Sequence, residues 1–208
     1  MENPVDENPA ADLLYGHRAK PYSSELELRL TARELIAEKG KSRQVYPLGE
    51  IERIRLSYAP RNIIKLAFRC EVRAKDGASV TFENFTWRSL VAIDRQDDDY
   101  RRFVGALVAR AGAASRGLAL ESGLGPLRFA LTRWLGMALI GALGLAAVYF
   151  AFFVGKLTDS VHLLYAALAT ISALYLANWL REFLGRNRPG LFPADSIPEG
   201  VMPKPKRQ

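Results

Sequence analysis

Cysteine and histidine are nearly absent from this chain. Its 208 residues hold one cysteine, Cys70, and two histidines, His17 and His162. A single cysteine excludes an intrachain disulfide and any cysteine-based metal site. Neither a paired-histidine metal motif, a P-loop nor a dinucleotide-binding glycine pattern is present. The chain therefore reads as a non-enzyme, with no cofactor, no metal and no small-molecule substrate called for. Cys70 lies in an alternating strand pattern, which predicts a buried structural thiol.

Charge is also missing, locally. The runs 134–154 and 161–180 contain no Asp, Glu, Lys or Arg. Each is about the ~20 apolar residues that a helix needs to cross a bilayer core. Two in tandem predict a transmembrane helical hairpin over 131–184. His162 sits at the outer end of the second run, and Thr170, Ser172 and Asn178 are its other polar groups. Two helices without charges make a poor ion pathway and a good anchor.

A signal-peptide pattern is absent as well. Residues 1–20 carry Glu2, Asp6, Glu7 and Asp12 with Pro4 and Pro9, and lack a basic start followed by an apolar stretch. They read as a disordered acidic tail, and the first apolar helix as an internal insertion signal.

Basic residues outnumber acidic ones, 29 to 22, for a net charge of +7. No recognised module interleaves these cations with aromatics, so nucleic acid is not the expected partner. The excess is read first as a topology signal. Arg116, Arg128 and Arg133 precede the first apolar run. Arg181, Arg186 and Arg188 follow the second, with Lys204, Lys206 and Arg207 beyond. The connection 155–160 holds only Lys156, offset by Asp159. Basic flanks stay in the cytoplasm. Both termini are expected in the cytoplasm, on a multi-pass membrane protein. Small residues recur every four positions, at Ala138, Ala142 and Ala146 and again at Ala169, Ala173 and Ala177. That spacing lets helix backbones approach closely. It predicts packing of the two helices on each other, or a face for a second copy.

Residues 21–115 read as a compact α+β domain facing the cytosol. Leu26, Leu28 and Leu30 alternate with Glu27 and Arg29 as a half-buried strand. Residues 33–39 continue as a second strand. Ile54, Leu56 and Tyr58 alternate with Arg53, Arg55 and Ser57, and a third alternation runs from Ile64 to Val72. Asp76-Gly77 signals a hairpin, with Val80 and Phe82 opening the return and Phe85 and Trp87 extending it. Asp97, Asp98 and Asp99 crowd the start of a helix, where acidic groups favour the positive end of its dipole. Tyr100, Phe103, Val104, Leu107, Val108 and Ala111 then share one face. That stripe is expected to cover the open end of the sheet.

Strands followed by one C-terminal amphipathic helix are the order of a pleckstrin-homology (PH)-like β-roll. The segment 30–36, Leu-Thr-Ala-Arg-Glu-Leu-Ile, resembles the bacterial PH-domain families. So does the run from Val45 to Ile54, with its Pro47-Leu48, acidic Glu50 and Ile51. The resemblance covers residues 22–112 and stops before the hairpin. It implies a fold more than an activity, and no shared catalytic residues.

A lipid-phosphate site is one open reading. The turn at Thr31-Ala32-Arg33 looks too tight to cradle a phosphate, whereas Lys39, Lys41 and Arg43 surround a flexible Gly40. A plain solvated turn is the alternative. Outward-facing Arg53, Arg55, Arg69 and Arg73 form either a basic sheet surface or cross-strand pairs with Glu71 and Glu83. After a linker over 116–130 and the hairpin, residues 185–208 form a Pro-rich basic tail. Its Leu191, Phe192, Ile197, Val201 and Met202 fit either a docked strip or a disordered end. Together these features predict a membrane-anchored PH-like binding or scaffold module. The bilayer is one partner, and a protein or a second copy is the other. Anionic-lipid sensing and an accessory role in a larger membrane complex are the alternatives.

Overall fold

The computed structural model describes residues 11–60, 66–152 and 160–205. It divides into two compact units. One combines the chain up to Gly123 with the stretch from Gly190 onward; the other is Leu124–Pro189.

The first unit is α+β. Strands β1 (Leu13–His17), β2 (Leu26–Leu30), β3 (Glu34–Lys39) and β4 (Ser42–Pro47) form an antiparallel four-stranded meander. Leu26, Leu28 and Leu30 point inward and are buried, while Glu27 and Arg29 face out, as their period of two dictates. The β2–β3 turn is tight because the Thr31 hydroxyl accepts from the Glu34 amide at 3.0 Å and donates to its carbonyl at 3.1 Å. A second sheet is built on β5 (Ile51–Tyr58), β6 (Phe68–Ala74) and β7 (Ser79–Glu83). Gly77 turns β6 into β7 at φ +89°, a left-handed conformation that glycine adopts without a Cβ penalty.

Strand β7 does not run on through Phe85 and Trp87, as the alternation suggests. It stops because Asn84 is fully buried and turns its side chain on the backbone. Its Oδ1 accepts from the Phe68 amide at 2.8 Å, and its Nδ2 donates to the Leu66 carbonyl at 3.1 Å and to Asp97 Oδ1 at 2.6 Å. Phe85–Trp87 (β8) then pairs with Ile93–Arg95 (β9) as a separate hairpin.

Helix α1 (Asp97–Ala114) buries all six residues of its apolar stripe, Tyr100, Phe103, Val104, Leu107, Val108 and Ala111. Ring contacts join Phe103 to Phe82 at 5.6 Å and to Tyr15 at 5.5 Å, so the helix covers the core shared by the two sheets. Cys70 is wholly buried in this core, and burial pushes its thiol pKa well up.

Two expectations change here. Residues 13–17, read as part of a disordered tail, form β1. Tyr15 is buried there, and its hydroxyl donates to the Glu83 carbonyl at 2.6 Å. His17 is also buried, with Nδ1 2.7 Å from the Phe85 carbonyl oxygen. Strand β4 has no clean alternation; only Tyr46 in it is buried. The second change concerns 116–130 and 185–208, read as linker and tail. Ala119–Ser122 (β10) adds to β5 in parallel, and Gly190–Leu191 (β11) pairs antiparallel with β10. Beyond it Phe192, Val201 and Met202 are buried. The prolines suppress regular structure there without preventing order, because a proline-stiffened chain loses less entropy on docking.

The second unit is a helical hairpin of α2 (Pro126–Phe152) and α3 (Ser160–Arg186), both long and apolar enough to cross a bilayer. The turn residues Lys156 and Asp159 lie outside the described residues, as do the N-terminal ten, Lys206 and Arg207. Proline at the first helical position of α2 forfeits only an amide that has no partner there. On α3, Ala169, Ala173 and Ala177 are half-buried; on α2, Ala146 is half-buried but Ala138 and Ala142 are exposed. The half-buried line on α2 runs instead through Gly136, Ile140, Leu143 and Ala147. A four-residue repeat drifts about 40° per step around a helix of ~3.6 residues per turn. Over three positions it stays on the half-buried side of α3, whereas on α2 it reaches that side only at Ala146 and the line there steps by four, three and four. Gly136 is decisive: a Cβ there would lie 2.6 Å from Leu180 Cδ2.

Two outcomes follow. A thiol reagent at neutral pH should leave Cys70 unmodified in the native protein and label it fully in denaturant; native labelling would refute the buried core strand. Gly136→Leu should loosen the hairpin, read as more rapid hydrogen exchange in α2 and α3, whereas Gly141→Leu, with open space around it, should not.

Candidate functional site

The outward face of the second sheet is not a free basic surface. Arg53 lies 3.6 Å from Glu71 and 4.0 Å from Glu121, and Arg55 makes a close ion pair with Glu121. Arg69 reaches Glu83 at 2.8 Å, with the carboxylate nearly buried. Three of the four arginines are thus matched by carboxylates. Glu121 could not be anticipated as a partner, because it enters through β10, a strand that forms only when the chain returns to the sheet edge.

Cations gather instead at one end of the domain. The β1–β2 register sets His17 opposite Leu26, and the β2–β3 register sets Leu26 opposite Lys39. Residues 18–25 and the Gly40-Lys41 turn therefore leave the sheet together. Gly40 adopts φ +60°, with Ser24 Oγ 3.5 Å from where a Cβ would sit. Of the three candidate phosphate ligands, Lys39 and Lys41 are exposed and make no ion pair among the described residues. Arg43 is exposed too, but lies 3.5 Å from Glu38. Arg18 pairs with Glu25 at 3.4 Å, and Lys20 is exposed. The two lysines of the turn, with Lys20, are thus the available charges among the described residues.

The β8–β9 hairpin projects from the same end. The Arg18 amide donates to Thr86 Oγ1 at 3.0 Å, and the Trp87 amide donates to the Arg18 carbonyl at 3.1 Å. The hairpin loop, residues 88–92, carries Leu90 at 57% and Val91 at 91% exposure. Tyr22, in the neighbouring loop, is 84% exposed.

Compared with protein-family models and with curated proteins, the chain finds no match. Its function is therefore argued from its own residues. Among the described residues, no three His, Cys, Asp or Glu side chains converge as metal ligands. Buried Tyr15 and Tyr100 have pKa values pushed up by desolvation, then by carboxylates for Tyr15 and by Cys70 for Tyr100. Both hydroxyls therefore stay protonated in the core at neutral pH.

A groove of about 640 Å³ lies between α1 and the C-terminal strip, lined by Arg101, Gly105, Ile197, Glu199 and Met202 among others. The strip is held by Arg101 Nη1 donating to the Pro203 carbonyl at 2.5 Å. It also passes close over Gly112, where an added Cβ would sit 3.0 Å from Ala194 Cβ. Phe192, Val201 and Met202 of the strip are thus spent on the domain itself, Ile197 is half-buried, and Leu191 stays exposed. Gly112→Phe should lift it, seen as faster proteolysis after residue 190 with the four-stranded sheet still protected; unchanged proteolysis would refute this docking.

Proposed function

We propose that this protein is a non-catalytic binding and scaffold module, a PH-like β-roll fixed to a bacterial inner membrane by its helical hairpin. The observation that carries the reading is the exposure of the two apolar helices. None of the most apolar window of α2 is buried, and only 6% of that of α3. A core helix of a water-soluble protein would be largely covered. Each fully exposed Leu, Val or Phe forgoes roughly 1.5–3 kcal/mol of burial, which a bilayer would restore. The PH-like assignment rests on a four-stranded meander, a three-stranded meander and a closing helix, in that order, together with the sequence resemblance. The arginines flanking the helices favour a cytosolic domain with both termini inside.

A second reading, anionic-lipid sensing, is favoured by one specific observation: Lys39 and Lys41 stand on an exposed turn with no carboxylate partner among the described residues. Each would contribute about 1 kcal/mol near an anionic leaflet. A third, an accessory subunit, draws on Ala138 and Ala142, which face away from the hairpin seam and leave a small-residue strip for another helix.

Alkaline carbonate should leave the full chain in the membrane pellet, and protease should reach the β-rich unit only after spheroplasts are broken. Release by carbonate, or digestion in intact spheroplasts, would overturn the anchor or its orientation. Cross-linking in native membranes should then capture a discrete protein partner. For the lipid reading, Lys39→Glu with Lys41→Glu should lower binding to anionic vesicles about tenfold or more, by the loss of ~2 kcal/mol in all, and salt should have the same effect.

A further inference from the structure

We infer that the β8–β9 hairpin tip, Leu90 and Val91, inserts into the surface of the same bilayer that holds the helices, docking the domain by one end. The inference rests on the membrane-spanning reading of α2 and α3 and adds a second, non-covalent contact.

The first argument is exposure confined to a tip. Trp87 and Ile93 at the base of the hairpin pack against buried Ala67 and Phe85, so the hairpin is rooted in the core. Its apex nevertheless points two aliphatic side chains into solvent, at 57% and 91%. The apex is braced rather than slack: the Ser89 hydroxyl accepts from the Ala92 amide at 3.2 Å, and the Arg88 amide donates to the Ala92 carbonyl at 3.0 Å. Arg88 pairs with Asp94, so the flank is neutralised and costs little to bring to a headgroup layer.

Position supplies the second argument. Strand β10 leaves the sheet after Ser122, which pairs with Leu56, and the Gly123 amide still donates to the Leu56 carbonyl at 2.7 Å. Two residues further along β5, Tyr58 pairs with Phe68, and the neighbouring Arg69 pairs with Glu83, just before Phe85. The chain thus departs for α2 at the end of the sheet from which the hairpin projects. It returns at that end too, since Gly190 pairs with Ser122. Helix α2 begins at Pro126, after only Leu124 and Gly125. The domain is tied to the helices twice, and both ties are at the Leu90–Val91 end.

Chemistry of the surroundings is the third. Tyr22, an aromatic suited to the headgroup zone, and Lys20, Lys39 and Lys41, which make no ion pair among the described residues, stand at this same end, matching an apolar tip with a cationic rim. Interfacial insertion of this kind reaches about 5–10 Å below the headgroups.

The test uses the full chain in vesicles of phosphatidylglycerol and phosphatidylcholine. Cys70 is buried, so an introduced surface cysteine takes an environment-sensitive fluorophore alone. Val91→Cys should emit blue-shifted and be quenched several-fold more by a shallow lipid-borne nitroxide than Ser79→Cys, which lies at the far end of β7. Adding Leu90→Asp should return the emission towards that of water. Leu145→Cys, in α2, reports the anchor separately. Quenching at 145 but not at 91 overturns the tip insertion alone; no quenching at 145 overturns the anchor and the tip with it. Shielding of 91 from aqueous iodide without lipid quenching would mean that a protein covers the tip, and would also overturn the inference. So would quenching that persists in the Leu90→Asp variant.

Discussion

Ser122 lies opposite Gly190, and the rest of the architecture depends on that pairing. It joins two strands separated by the whole hairpin and makes residues 124–189 an insertion into a β-domain rather than an appendage to it. Bringing such distant positions together costs loop-closure entropy, but that cost grows only logarithmically with loop length. The hairpin, held together by its own seam, shortens the effective loop further. Once β10 is recruited to β5, Glu121 meets Arg53 and Arg55, and the retained strip places Phe192, Val201 and Met202 in the core.

That insertion divides the surface of the domain into regions with different capacities. The face of the second sheet is largely spent electrostatically, with Arg53, Arg55 and Arg69 committed to Glu71, Glu83 and Glu121. The flank along α1 is occupied by the strip. What stays uncommitted is one end: a glycine-pinned lysine turn, an aromatic loop and an aliphatic hairpin tip. Binding energy at a surface comes from groups not already satisfied by their neighbours. On that ground this end is where the protein has most to offer a partner or a lipid.

Asn84 illustrates how one polar side chain shapes this end. Buried with partners for both its Oδ1 and its Nδ2, it takes over pairing that the backbone of β7 would otherwise make, so the sheet stops and the β8–β9 hairpin diverges. A buried amide with satisfied partners is affordable, whereas the same group unpaired is costly. In sequence it is a single Asn between Glu83 and Phe85, with an apolar alternation that continues straight past it.

Much of the fold was legible in the order of residues. Alternating leucines, the Asp76-Gly77 turn, the α1 stripe and the two uncharged runs each obey a short period that solvent imposes locally: two for a half-buried strand, 3.6 for a helix, ~20 residues for a bilayer. The buried state of Cys70 followed from the same alternation. What tertiary structure alone decided were the non-local pairings. Strand β1, with Gly16 and His17 in a stretch without strong alternation, is a strand because β2 and the carbonyls of Glu83 and Phe85 offer it partners. β10 and β11 are too short to be stable alone and exist as edges added to β5. The seam through Gly136 rather than Ala138 was set by the shape of Leu180 on the facing helix. Periodicity records which side of an element avoids water; it carries no information about which distant segment will arrive to cover it.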